Sequence, residues 1–282
     1  MPELPEVETI KRGLQGLILN KKIVQVHVLT DKSWRGPKQL VEGQSVVELE
    51  RRGKALLMKL SNGLWIMTHL RMTGQLIYVG DERYAAGHPD ANFTAEMPSR
   101  HTRIYFDFED GTHLYFNDLR KFGYMSLMED DDLAQDSFLN SLGPEPWAMN
   151  DKEFYARLQR HKNAPVKAVI LDQKVIAGVG NIYADEGLFL AKIYPGRLAG
   201  EVSRKEATEL LKGLCEVMQR SIDSGGSTMK DYVRADGTKG SYLEKFANVF
   251  RREGKACPNC GAEIKKTRVA GRGTHFCAEC QK

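Results

Sequence analysis

The 282-residue sequence has no apolar run approaching the roughly 18 residues that a membrane-spanning helix needs, which argues against a helical membrane protein. A basic-then-apolar leader is also missing at its start, so a cytoplasmic location is expected. No internal repeat is evident, which argues against a solenoid or propeller. A strong excess of one charge is absent too: the net charge is +4, which permits a nucleic-acid partner without demanding one. Cysteine is scarce. Of five in the chain, four fall into two C-x2-C pairs, and the fifth, Cys215, lies at the edge of an apolar stripe where a packed core thiol is expected. What remains, 41% hydrophobic and 28% charged residues, suits a globular chain long enough for two domains.

Apolar positions Leu4, Val7, Ile10 and Leu14 recur at helical spacing and predict a helix over 3–16. From 23 to 128 the period shortens. IVQVHVL (23–29) reads as a strand, ALLMKL and LWIMTHL flank Asn62-Gly63, and RIYFDF and THLYF flank Asp110-Gly111, two hairpin signals. Residues 81–101 read as a long polar surface insertion. The acidic EDDD (129–132) and the GPEPW run (143–147) mark an interdomain connection. Helices are then expected over about 151–161, 164–173, 181–191 and 203–224, the last opening with a Ser203-x-x-Glu206 capping box and stopping at Gly225-Gly226.

The end of the chain is basic: residues 251–282 hold eight lysines and arginines against three acids, a footprint for phosphate contact or simply a solvated tail. In the same stretch CPNC (257–260) and CAEC (277–280) are sixteen residues apart. That spacing suits one structural Zn2+ held by Cys257, Cys260, Cys277 and Cys280. Two disulfides fit poorly in a reducing compartment. Between the pairs the sequence reads strand, glycine turn, strand, with Arg272 presented between two glycines where it can grip a phosphate. Upstream, KVIAGVGNIYADE places Gly178 and Gly180 before Asn181, the expected N-cap of a helix opening at Ile182. Such an end can hold an anion, although Gly-Asn turns are also ordinary joints.

MPELPEVET, RRGK (51–54), HLRMTG (69–74), DLRKFG (118–123), AGVGNIYADE (177–186) and AGRGTHFC (270–277) occur in order along nearly the whole chain. Together they resemble the bacterial formamidopyrimidine-DNA glycosylases. The resemblance implies an α+β protein: an N-terminal helix with an antiparallel β-sandwich (1–130), a linker (131–148), a helix-two-turn-helix domain (149–245) with a lesion-recognition loop (225–242), and a β-hairpin zinc finger (246–282). It implies an enzyme of base-excision repair in the bacterial cytoplasm, on the nucleoid when bound to DNA. That enzyme excises oxidised purines such as 8-oxoguanine, then cleaves the strand by β,δ-elimination. The implied partner is double-stranded DNA carrying the lesion or an abasic site, with no membrane and the protein a monomer.

The residues fit that chemistry one by one. With Met1 removed, Pro2 carries a free secondary amine; model α-amino groups have pKa about 7.7–8, so about a tenth are neutral at pH 7. A neutral amine can attack the sugar C1′, and the iminium that follows acidifies C2′ for elimination. By the resemblance Glu3 shuttles protons, Glu6 supports the site by hydrogen bonds, and Lys54 contacts phosphate and serves the second elimination. Arg272 joins this catalytic set. Met72, Arg120 and Phe122 match the trio that enters the duplex when the base is extruded. On the residues alone, Met72 and Phe122 would sooner be core. His69, Asn181 and Lys266, with Arg272, match phosphate contacts. The match departs at NVFRRE (248–253), where the family usually carries a VYGR-like run. Two other readings stay open: an endonuclease VIII-type glycosylase for oxidised pyrimidines, whose members typically begin PEGPE, and a catalytically silent zinc-finger DNA-binding protein.

Overall fold

The structure is a computed structural model that describes residues 1–88, 91–226 and 242–282. The expected lesion-recognition loop (225–242) lies almost wholly outside the described residues. The chain forms two compact units, one built on residues 1–140 and one on 141–223 with 242–282.

In the first unit, α1 (Leu4–Ile18) precedes ten strands: β1 (Ile23–Val28), β2 (Trp34–Arg35), β3 (Val46–Arg52), β4 (Ala55–Leu60), β5 (Trp65–His69), β6 (Gly74–Val79), β7 (Arg83–Gly87), β8 (Thr102–Phe108), β9 (His113–Asp118) and β10 (Tyr124–Met128). They form two five-stranded sheets, ordered β1-β8-β9-β6-β7 and β2-β10-β5-β4-β3. All pairings are antiparallel except β2 with β10. Val7, Ile10, Leu14 and Ile18 of α1 join side chains of both sheets, among them Met58, Ile66, Ile104 and Phe106, in one core. Each such side chain contributes about 1.5–3 kcal/mol by leaving water. Both expected hairpins form. Their glycines, Gly63 (φ 87°) and Gly111 (φ 80°), take the left-handed backbone that the turns require.

The expected polar insertion at 81–101 is corrected in part. Its first residues are the edge strand β7, in register with β6 from Gln75↔Gly87 to Val79↔Arg83. Tyr84, Ala85, Ala86, Asn92 and Phe93 are buried. The Tyr84 hydroxyl donates to the Thr9 carbonyl at 3.1 Å, and its ring fills the space left by Gly13, which has no Cβ. Polar flanks and short alanines conceal this strand from a reading by hydropathy.

A short helix α2 (Asp130–Gln135) forms on the acidic stretch, and a second, α3 (Ser137–Ser141), follows it. The second unit contains α4 (Asp151–Gln159), α5 (Val166–Leu171), α6 (Asn181–Leu190), α7 (Arg204–Asp223) and α8 (Tyr242–Lys245), then the hairpin β11 (Ile264–Val269) and β12 (Arg272–Cys277). α7 carries the expected box: Ser203 N donates to Glu206 Oε2 at 2.8 Å and Glu206 N to Ser203 Oγ at 3.3 Å. α6 and α7 approach closely where Gly187 meets Leu214; a Cβ on Gly187 would stand 2.6 Å from Leu214 Cδ2. Cys215 is half-buried, and burial pushes its thiol up in pKa, so it is a poor nucleophile. Among the described residues no helix is long and apolar enough to cross a membrane.

Candidate functional site

The N-terminal helix places its acids by local bonding. Pro2 is buried and Met1 exposed. Glu3 is the N-cap residue of α1, and the Glu6 carboxylate accepts its backbone N–H at 2.8 Å. Both carboxylates are buried. Glu8, two residues on, ties the helix to β3: its oxygens accept from Arg51 Nε at 3.0 Å and Arg12 Nε at 2.9 Å, with Lys11 Nζ at 3.1 Å. Burial alone would raise the Glu8 carboxyl, but hydrogen bonds from Arg51, Arg12 and Lys11 prevail and hold it below the usual range. No sequence motif signals the Glu8–Arg51 clasp.

Lys54 follows Gly53 (φ 56°) at the turn from β3 to β4 and is buried. His69 ends β5 at 5% exposure. Its ring lies against Tyr124 and Phe138, with centroids 6.1 and 5.2 Å away. Burial, then the nearby charges of Arg71 and Lys54, pushes its pKa down to about 3. The Arg71 backbone N–H donates to His69 Nδ1 at 3.1 Å, so the ring is neutral with its proton on Nε2.

Met72 and Phe122, expected in the core from their chemistry alone, are 36% and 52% exposed. Met72 sits in the β5–β6 turn and Phe122 in the β9–β10 turn, where the Arg120 guanidinium lies 4.8 Å from the Phe122 ring centroid. Thr73 Oγ1 donates to Asp118 Oδ1 and accepts the Arg120 N–H, joining the two turns.

In the second unit Asn181 is the first residue of α6, and Gly180 is the N-cap. The expected Asn cap is thus corrected. The Asn181 amide turns away from its own helix and donates to the Gly273 carbonyl at 3.0 Å. The glycine turn before it is held by Gln173, whose Oε1 accepts from Gly178 N at 2.9 Å and whose Nε2 donates to the Val179 carbonyl at 2.8 Å. Arg272 also stands one position past the expected hairpin tip: Ala270 (φ 47°) and Gly271 (φ 75°) form the turn, and Arg272 opens β12 opposite Val269. It is exposed. Lys266 is paired with Glu253 at 3.2 Å.

A buried polar network braces this hairpin, and hydropathy gave no sign of it. Lys167 and Asp185, each 0% exposed, pair at 2.7 Å. Lys167 Nζ also donates to the Gly273 carbonyl at 3.1 Å and Thr274 Oγ1 at 2.8 Å, while Asp185 Oδ2 accepts from His275 N at 2.9 Å. Glu186 accepts backbone N–H bonds from Asn248 (2.7 Å), Val249 (2.9 Å) and Phe250 (2.7 Å). Burial raises its pKa despite them. These bonds grip the divergent NVFRRE run through its backbone. Arg251 there takes φ 58°, the left-handed conformation that suits a glycine.

The sulfurs of Cys257, Cys260, Cys277 and Cys280 all lie within 4.8 Å of one another, the one such metal-binding group among the described residues. Cys257 and Cys280 are 3.8 Å apart and Cys260 and Cys277 3.5 Å, far too long for disulfides. Tetrahedral Zn–S bonds of about 2.3 Å put sulfurs about 3.8 Å apart, so four thiolates fit one structural Zn2+. The ion would join the residue 257–260 turn to the end of β12.

Three family profiles match the chain: Formamidopyrimidine-DNA glycosylase N-terminal domain over residues 1–125, Formamidopyrimidine-DNA glycosylase H2TH domain over 142–233, and Zinc finger found in FPG and IleRS over 254–282. The formamidopyrimidine-DNA glycosylase of Pelotomaculum thermopropionicum is 39% identical, across 100% of this chain and 99% of its own. That of Cereibacter sphaeroides is 39% identical across 100% of both. Among solved structures, the MutM (Fpg) protein from Thermus thermophilus superposes with a TM-score of 0.85 at 39% identity, covering 99% of this chain and 98% of that one. Lactococcus lactis Fpg, in complex with DNA containing an abasic site, gives 0.86 at 31% identity over 99% of each. With matches of this extent and identity, the chain belongs to the formamidopyrimidine-DNA glycosylase family.

Proposed function

We propose that this chain is a bifunctional DNA glycosylase and abasic-site lyase of base-excision repair, acting on oxidised purines in double-stranded DNA as a monomer in the bacterial cytoplasm. The observation that carries the reading is the exposure of Met72 and Phe122 with Arg120 laid against the Phe122 ring. Two large apolar side chains left in water gain nothing from burial in the fold, and insertion into a base stack supplies that burial. Met72 fills the vacated space, Arg120 bonds the orphaned base and Phe122 wedges the stack open.

Chemistry starts at Pro2. While Met1 is attached, the Pro2 nitrogen is a tertiary amide and cannot attack, so removal of Met1 is part of the proposal. The freed amine attacks C1′ and the C1′–N bond breaks, with the electron pair leaving on the base. Glu3 delivers a proton to open the sugar ring, which leaves an iminium between Pro2 and C1′. Loss of the C2′ proton expels the 3′ phosphate, and Lys54 assists the second elimination. Glu6 acts through Glu3, whose N–H it accepts. His69, Asn181, Lys266 and Arg272 take phosphates; the neutral His69 ring does so as an Nε2–H donor rather than as a cation. The division into residues 1–130, 131–148, 149–245 and 246–282 belongs to this reading. The Zn2+ is structural and takes no part in the steps.

The test uses purified protein whose mass shows loss of Met1. The reading expects excision from 8-oxoguanine duplexes, a borohydride-trapped covalent complex with abasic DNA, and affinity that falls steeply with salt. Preference for thymine-glycol duplexes would move the enzyme to the pyrimidine branch. A free Pro2 with no trapped adduct would leave only a DNA-binding protein.

A further inference from the structure

Asp118 ends β9 and is 0% exposed; the neighbouring Arg103 guanidinium donates to its carbonyl rather than to its carboxylate. Its carboxylate is nonetheless saturated with donors. Oδ2 accepts Phe122 N–H at 2.7 Å and Gly123 N–H at 2.6 Å. Oδ1 accepts the Thr73 hydroxyl and Arg120 N–H, the latter at 3.2 Å. Three of these donors are backbone groups of the β9–β10 turn; the fourth comes from the β5–β6 turn. Thr73 Oγ1 in turn accepts Arg120 N–H at 3.0 Å. The main chain of Asp118 is held as well, its carbonyl by Arg103 Nε at 2.8 Å and its N–H by the His101 carbonyl at 2.9 Å.

The two turns need such restraint. Each contains a non-glycine residue with left-handed backbone, Arg71 at φ 51° beside Met72 and Lys121 at φ 58° between Arg120 and Phe122. A conformation of this kind persists where its surroundings over-determine it. Gly123 shows how tight the fit is: a Cβ there would stand 3.2 Å from Asp118 Oδ2 and 2.8 Å from the Phe116 ring.

We propose that Asp118, acting with Thr73, is a positioning residue that locks the Met72 turn and the Arg120–Phe122 turn into one prearranged wedge. The inference rests on the proposed insertion of those three side chains. A wedge whose backbone is already fixed loses little conformational freedom on entering DNA, so more of its contact energy goes into opening the stack. The carboxylate is buried, so its effect passes through the two turns.

The experiment compares Asp118→Asn, Thr73→Val and Thr73→Ser with the unmodified protein. Asparagine keeps the size but replaces one acceptor oxygen with an NH2 that faces two N–H or O–H donors. The expected result for Asp118→Asn and Thr73→Val is single-turnover excision from 8-oxoguanine duplexes slowed by about tenfold or more, the equivalent of one lost bond to a charged group. The fluorescence rise of a 2-aminopurine beside the lesion, which reports unstacking, is lost with it. Borohydride trapping on single-stranded abasic DNA, where no stack is opened, changes by no more than about twofold. Thr73→Ser, which keeps the hydroxyl, restores excision and fluorescence. An Asp118→Asn protein that retains duplex excision and the fluorescence rise overturns the inference. So does an equal loss on duplex and single strand, which marks mere support of the fold. Should Asp118→Asn fail to fold, the Val and Ser variants of Thr73 decide alone. Arg120→Ala and Phe122→Ala separate the two readings: if they leave duplex excision intact, the insertion reading fails; if they abolish it while Asp118→Asn does not, only the positioning role fails.

Discussion

His69→Asn tests the electrostatics of the first unit directly. The ring is held neutral in the fold, its pKa moved from 6.5 to about 3 by burial and by the charges of Arg71 and Lys54. The unfolded chain has no such environment and takes up a proton near 6.5. The folded value is the lower one, so this site's stabilisation is complete above pH 6.5. It is lost as pH falls from there towards 3, because only the unfolded state gains the proton. Integrating between those values gives a loss of about 2 kcal/mol from pH 7.5 to pH 5 and about 3 kcal/mol by pH 4. Asparagine retains an oxygen near the Nδ1 position to accept the Arg71 N–H, and it does not titrate. Urea unfolding of both proteins at pH 7.5, 6 and 5 is the assay. The variant loses packing at every pH, but its deficit should shrink by about 2 kcal/mol between pH 7.5 and 5. Parallel pH profiles would refute the buried neutral ring, and with it the assignment of His69 as an uncharged donor to phosphate.

Other outcomes follow from the same geometry. Phe122→Ala removes a side chain that is 52% exposed, so unfolding free energy should move by less than about 0.5 kcal/mol while excision of 8-oxoguanine from duplex DNA falls, as denaturation and single-turnover kinetics will report. Lys167→Ala leaves the buried Asp185 charge without its 2.7 Å partner and should cost about 3–5 kcal/mol of stability, measured by denaturant unfolding. Arg251→Gly relieves a left-handed residue at φ 58° and should stabilise the protein by about 0.5–1 kcal/mol, read as a raised Tm with DNA binding retained. Cys277→Ser, or a strong chelator, should reduce bound zinc measured by mass spectrometry and expose the 246–282 segment to protease, since small metal-held hairpins unfold without the ion.

Much of the site is local in origin and therefore legible. Helix α1 follows from the spacing of Leu4, Val7, Ile10 and Leu14, and the zinc ligands follow from two C-x2-C turns. Hairpins at Asn62-Gly63 and Asp110-Gly111 follow because a glycine accepts the backbone they need. Strands β3, β6, β7 and β10 carry no comparable signal. β3 has a register shift and charged side chains, and β7 is short and flanked by acids, so each takes its conformation from pairing rather than from its own pattern. Asn181, expected as a cap, instead bonds the Gly273 carbonyl, a partner 92 residues away that no local rule can supply.

By itself, the sequence pointed to the metal through two short cysteine spacings and to the α+β class through its helical and strand periods, while the candidate reactive groups came from the family resemblance of its ordered motifs. Tertiary structure alone decided their states. It made His69 neutral by burying it beside two cations, and it put Met72 and Phe122 in water although their composition points to a core. It also turned Asp118, Lys167, Asp185 and Glu186 into buried polar groups with partners brought from elsewhere in the fold. The reason is physical: exposure, desolvation and hydrogen-bond partnership are set by neighbours distant in the chain, which residue spacing does not encode.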